Sequence, residues 1–158
     1  MTLSRTATWA SRAFIGVLAG TVGTTAMTAV MRRLHRNLPP TSQYPLPPRE
    51  IVDETFPGAP DDALPSLTML SHFGYGAVTG AIFALFAPHR GPAVGAAYGI
   101  GVWVASYLGW IPASGILKPA TRHPRERNAL MIAAHVVWGG AMALTIRELE
   151  CAKKSIFR

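Results

Sequence analysis

His72 and His135 are the residues of this chain whose type and setting could do chemistry. Each heads a short block in an apolar stretch: His72-Phe73-Gly74-Tyr75-Gly76-Ala77 and His135-Val136-Val137-Trp138-Gly139-Gly140. Both blocks read histidine, two residues, aromatic, glycine, small residue. An imidazole among apolar neighbours has a short list of roles. The plainest is a hydrogen bond to a backbone carbonyl or a threonine of a neighbouring helix, which contributes about 0.6 kcal/mol in a membrane bundle. A second is axial ligation: the pair would hold a haem b, and the glycine one turn away would leave room for the macrocycle. A third is a polar pocket that holds a small ligand or relays protons, with imidazole titrating at about pH 6.5. No cofactor is expected beyond that haem alternative. A metal site would need a third ligand, and no His/Asp/Glu cluster at ligand spacing supplies one.

Polar residues gather at the same end of these blocks. Arg127 and Asn128 precede the second block and could reach back over the mouth of a site at His72 and His135. Tyr44, Arg49 and Glu50 lie in a proline-rich loop, and Trp110 and His123 flank the loop before the second block. Two roles are open to this rim: contact with lipid headgroups by a solvated basic surface, or a lid formed by the first loop over a polar mouth. No phosphate-binding glycine loop, nucleophile elbow, HExxH or CxxC is present, so the expectation is a protein without catalytic residues.

Four apolar runs must position these residues: Ala13 to Met31, Leu67 to Ala87, Ala93 to Ile111 and Asn128 to Ile146. A helix rises about 1.5 Å per residue and a bilayer core is roughly 30 Å thick, so runs of this length can span. The first run follows a basic start, as a signal peptide would. It exceeds the usual apolar core of a signal and is followed directly by Arg32 and Arg33, so it reads as a retained helix. Small residues recur four apart at Gly16 and Gly20, Gly76 and Gly80, and Gly95 and Gly99, with Gly139 in the last run. That spacing lets membrane helices approach closely.

Residues 32–66 are dense in proline and read as an extended loop, with a short surface helix starting near Pro48. The turn Pro88 to Pro92 is tight, so the second and third helices should be antiparallel neighbours. Pro112 should end the third. The expected fold is therefore all-α, one integral membrane domain over residues 1–158, four transmembrane helices in a glycine-packed bundle. The paired blocks further suggest a duplicated two-helix unit. His72 and His135 would sit roughly 8 and 10 Å below their helix starts, entering from the same side.

Composition agrees. The chain is 49% hydrophobic and 15% charged, against about 25% charged in soluble domains. A formal charge of +7 and a pI near 10.3 fit basic residues at membrane surfaces rather than nucleic-acid binding. The lone Cys151 allows no intramolecular disulfide. The 15 lysines and arginines divide almost evenly between the two sides, so charge does not orient the chain. The long, partly acidic first loop favours termini in the cytoplasm.

The chain resembles the YagU-like family of small bacterial inner-membrane proteins. The residues that carry this are Ala19-Gly20-Thr21-Val22-Gly23-Thr24 with Met27, the segment Leu38-Pro39-Pro40 to Pro48, and His72-Phe73-Gly74-Tyr75-Gly76-Ala77. Trp103, Leu108-Gly109-Trp110-Ile111-Pro112 and Ala134-His135 to Gly139 add to it. The resemblance implies a multi-helix inner-membrane protein, with a role in envelope or acid-stress physiology and no catalytic residues to carry over. The expected function is binding or accessory, through a loop-side polar pocket. The expected partners are the lipid bilayer and a second copy or another membrane protein. An oligomeric transporter or channel is the competing class, and the haem-binding redox protein a third.

Overall fold

The structure, a computed structural model, describes residues 2–87 and 89–156, with side chains from 8 to 155. Five helices carry the fold: α1 (Thr2–His35), α2 (Pro47–Thr55), α3 (Leu64–Phe86), α4 (Pro92–Ala113) and α5 (Arg125–Ile156). Single 3-10 turns stand at Pro40–Ser42 and Ala120–Arg122. α1, α3, α4 and α5 are each long and apolar enough to cross a membrane.

The helices outrun their apolar runs. Extending a formed helix costs little once its nucleus exists. Arg32 and Arg33 in the last turn of α1, and Lys153 and Lys154 in that of α5, complement the helix dipole. Proline at the first turn of α2, α3 and α4 sets their starts.

Pro112 does not end α4. It sits inside a final turn, after a π-helical stretch, Ala105–Trp110, in which Gly109 bends the backbone at φ −113°, ψ −109°. The stop is Gly115, at φ 77°. There Ile116 N–H donates to Ile111 O (3.3 Å) and Gly115 N–H to Pro112 O (3.1 Å), the paired bonds that close a helix on a left-handed glycine.

Glycine faces set the packing. On α1 and α3, a Cβ at Gly16 would stand 2.6 Å from Ala81 Cα, and one at Gly20 would run into the Gly76 carbonyl. On α4 and α5, Gly95 meets Gly139 in the same manner, and Gly99 meets the His135 carbonyl. The two helix pairs therefore close alike, Gly76 against Gly20 and Gly139 against Gly95. α1 and α5 join the pairs through Gly23, where a Cβ would lie 2.8 Å from Trp138 O.

The fourth side of the bundle differs from the sequence expectation. α3 and α4, though joined by a tight turn, make no extended contact. Large side chains bridge them instead: Phe83 and Tyr98 stand 4.9 Å apart by ring centroids, and the Tyr98 hydroxyl donates to Thr79 O at 2.8 Å. No glycine row on α4 faces α3, because Gly95 and Gly99 are spent on α5. The bundle is a horseshoe, α3–α1–α5–α4, with its seam between α3 and α4.

At one end, Lys153 Nζ donates to Ser11 Oγ (2.7 Å) and Arg90 pairs with Glu150 (2.9 Å). At the other, both long loops meet. α2 packs across α3 there, with Val52 buried.

Candidate functional site

The seam opens into a cavity of about 250 Å³ at the loop end. His72 from α3 and His135 from α5 both line it. Tyr75 and Thr79 extend the α3 wall. Val102, Ser106, Tyr107 and Trp110 form the α4 wall, and Thr24 and Met27 the α1 wall. The π-helical stretch supplies Ser106, Tyr107 and Trp110; widening of this kind is frequent at functional sites. Pro48 and Ile51 of α2 cover the loop-side end. Toward the other end, Tyr98 stacks on Trp138 at 5.9 Å and on Phe83, closing the floor. The lip faces outward through Ser71, Tyr75 and Trp110, which are exposed.

The lining is mostly apolar, whereas the sequence suggested a polar pocket. Its hydroxyls are largely committed within the wall. Thr24 Oγ1 donates to Gly20 O (2.8 Å), Thr79 Oγ1 to Tyr75 O (2.7 Å) and Ser71 Oγ to Thr68 O (3.2 Å). The Tyr75 hydroxyl and Ser106 Oγ share a bond of 2.9 Å across the seam. Trp138 Nε1 donates to Gly20 O at 3.3 Å.

The imidazoles stand apart from this pattern. His135 Nδ1 lies 2.7 Å from Met131 O. A carbonyl accepts only, so Nδ1 carries the hydrogen, and the neutral ring presents Nε2 as an acceptor. His72 Nε2 is buried without a hydrogen-bond partner.

Other expected site residues lie elsewhere. Arg127 does not reach the mouth; it is 2% exposed and ties the first loop to α5. Its guanidinium donates to Tyr44 O (2.9 Å), to Pro45 O and to Glu50 Oε2 (2.7 Å), and lies 3.6 Å over the Tyr44 ring. A buried cation survives only when its donors are met, and the loop carbonyls meet them. Asn128 Nδ2 donates to Ala120 O (2.7 Å), holding the second loop rather than the mouth. Tyr44 and His123 join the two loops, hydroxyl to Nδ1, at 2.8 Å. His35 Nε2 meets Tyr44 O at 3.1 Å. Arg49 pairs with Asp53 at the surface (2.7 Å). Trp110 is the one expected rim residue that borders the cavity. Burial holds the Glu50 carboxyl above its usual range, outweighing the pull of Arg127, and burial likewise raises the Tyr44 phenol.

A haem does not suit this site. The glycines beside the histidines offer no macrocycle space: a Cβ on Gly76 would strike Thr24 Oγ1, and one on Gly139 the Gly95 carbonyl. Among the described residues, no three His, Cys, Asp or Glu side chains gather as metal ligands. Pro48, Ile51, Ser71 and Ser106 were not foreseen. Tyr75 had a signal, being the aromatic of the His72 block.

Four spanning helices around a glycine-built interior make this a multi-pass membrane protein. Comparison with known protein families, curated proteins and solved structures finds no match.

Proposed function

We propose that the protein is a membrane-resident binding or accessory protein that holds a small, mostly apolar molecule between α3 and α4. The observation that carries this reading is one cavity lined by both His72 and His135, with a buried imidazole nitrogen left unpartnered. An unmet polar atom costs stability, and a ligand supplies a reason to keep it. The site presents two imidazoles without a paired carboxylate or activated nucleophile, which supports binding rather than catalysis. The stack of Phe83, Tyr98 and Trp138 stands across any path through one chain, so a transporter or channel would require it to open. Residence in the bacterial inner membrane, with termini in the cytoplasm, follows from the acidic, proline-rich first loop and the YagU-like motifs. Those motifs also support a role in envelope or acid-stress physiology.

The test is solvent extraction of purified protein followed by mass spectrometry. Wild type should release a near-stoichiometric small molecule. Ser71→Trp, which plugs the exposed lip, should not. Equal extracts from both proteins would remove the pocket from the account.

A further inference from the structure

We propose that the ligand is a lipid-soluble molecule with a hydroxyl-bearing aromatic ring, of the quinol class, which enters sideways from the bilayer through the α3–α4 seam. This rests on the pocket reading above and names its ligand.

The route follows from what is covered. α2 closes the loop end through Pro48 and Ile51, and the Tyr98 stack closes the floor. The lip at Ser71, Tyr75 and Trp110 is exposed, between two helices long enough to span. Whatever enters there comes from lipid. One bond, Tyr75 hydroxyl to Ser106 Oγ, crosses the seam at this level. Ser106 sits in the π-helical stretch, where the backbone has already left regular helix. Breaking one hydroxyl bond opens the way.

Size and shape restrict the head. A cavity of about 250 Å³ is roughly eight liquid-water volumes. That admits one substituted six-membered ring and not a long acyl chain, whose place is the seam and the bilayer beyond. Tyr75, Tyr107, Trp110 and Trp138 give the walls aromatic faces, which favour a planar ring.

Hydrogen bonding fixes the polarity. The hydroxyls of Thr24, Thr79 and Ser71 already donate to carbonyls of their own helices. His135 Nε2 can only accept while Nδ1–H holds Met131 O. His72 Nε2 is unpartnered. The ligand must therefore bring a donor. A quinol has one at each end of its ring; the corresponding quinone has none. Binding alone is inferred, without electron transfer.

The test uses the whole chain in nanodiscs of synthetic phosphatidylcholine, titrated with tritiated decylubiquinol kept reduced, and with decylubiquinone. Expected is saturable quinol binding, with the quinone at least about tenfold weaker because it leaves the His135 acceptor unmet. Ser71→Trp should abolish binding, and His72→Leu should weaken it while the protein stays folded. Equal affinity for the two forms, tighter quinone binding, or quinol binding unchanged by Ser71→Trp would each overturn the inference. Oleic acid serves as the control. If it binds in a Ser71-sensitive manner and quinol does not, the ligand class is wrong and the pocket stands. If neither binds, the inference fails, and the extraction experiment decides the pocket separately.

Discussion

His72→Leu should make the ligand-free protein more stable. His72 Nε2 is buried with no partner, and an unmet buried polar atom costs about 1–3 kcal/mol. Leucine removes that atom, and its branched side chain can fill part of the neighbouring cavity. The helix-propensity change also favours leucine by a few tenths of a kcal/mol. Against this stands the loss of any contact the ring makes with Phe73, whose centroid lies 6.0 Å away, a T-shaped neighbour worth roughly 0.5 kcal/mol. The balance is a gain of about 0.5–2 kcal/mol. For a chain of this size that raises Tm by roughly 1–8 °C. The assay is reversible unfolding of delipidated protein in micelles, followed by tryptophan fluorescence. Loaded with ligand, wild type should recover the difference, because binding stabilises by mass action. A loss of more than about 1 kcal/mol in delipidated His72→Leu would refute the reasoning, since it would mean the ring nitrogen is satisfied.

The glycine faces predict opposite results at adjacent positions. Gly139→Ala would drive a Cβ into the Gly95 carbonyl, whereas Gly140→Ala meets nothing within 4 Å. The first should destabilise by about 2–4 kcal/mol and the second should be neutral or stabilising by up to about 1 kcal/mol, read in the same unfolding assay. Glu50→Ala strips a buried guanidinium of its only anionic partner among the described residues. Breaking such a pair costs about 3–5 kcal/mol, and the low end applies because Glu50 is 19% exposed. Tryptic cleavage within residues 32–66 should accelerate; an unchanged cleavage rate would contradict the tie. The pH response has a definite sign. The Glu50 carboxyl is held above its usual range by burial. Its contribution is thus fully present below the ordinary carboxylate pKa and falls as pH rises through the raised value. Acidifying from pH 7 to 5 should leave α2 docked, with no faster thiol labelling of Ile51→Cys in a Cys151→Ser background. Faster labelling in acid would reverse the assignment.

The spans were legible because their signals are local: apolar length, glycines four apart, proline at helix starts. The equivalence of the His72 and His135 blocks was legible too, since both carry the same histidine, aromatic and glycine order. What stayed hidden is long-range. Arg127 looked like a solvated rim residue, and its partner Glu50 lies 77 positions away. Nothing in either neighbourhood shows that proline-rich chain would fold over α5 and bring Tyr44 and Pro45 carbonyls to it. The open seam was hidden for a related reason. Gly95 and Gly99 can face only one neighbour, and sequence does not say which. They face α5, so the tight turn before α4 joins two helices that aromatic rings hold apart. The cavity is the result.

The shared pocket is tested most directly by ¹⁵N-imidazole NMR of histidine-labelled protein, delipidated and then reloaded with its membrane extract. The account predicts His135 protonated at Nδ1 and bare at Nε2 before loading. It further predicts that His72 and His135 resonances shift together on loading, while His35 and His123 in the loops do not. Spectra in which neither His72 nor His135 responds, or only one does, would contradict a single site between them.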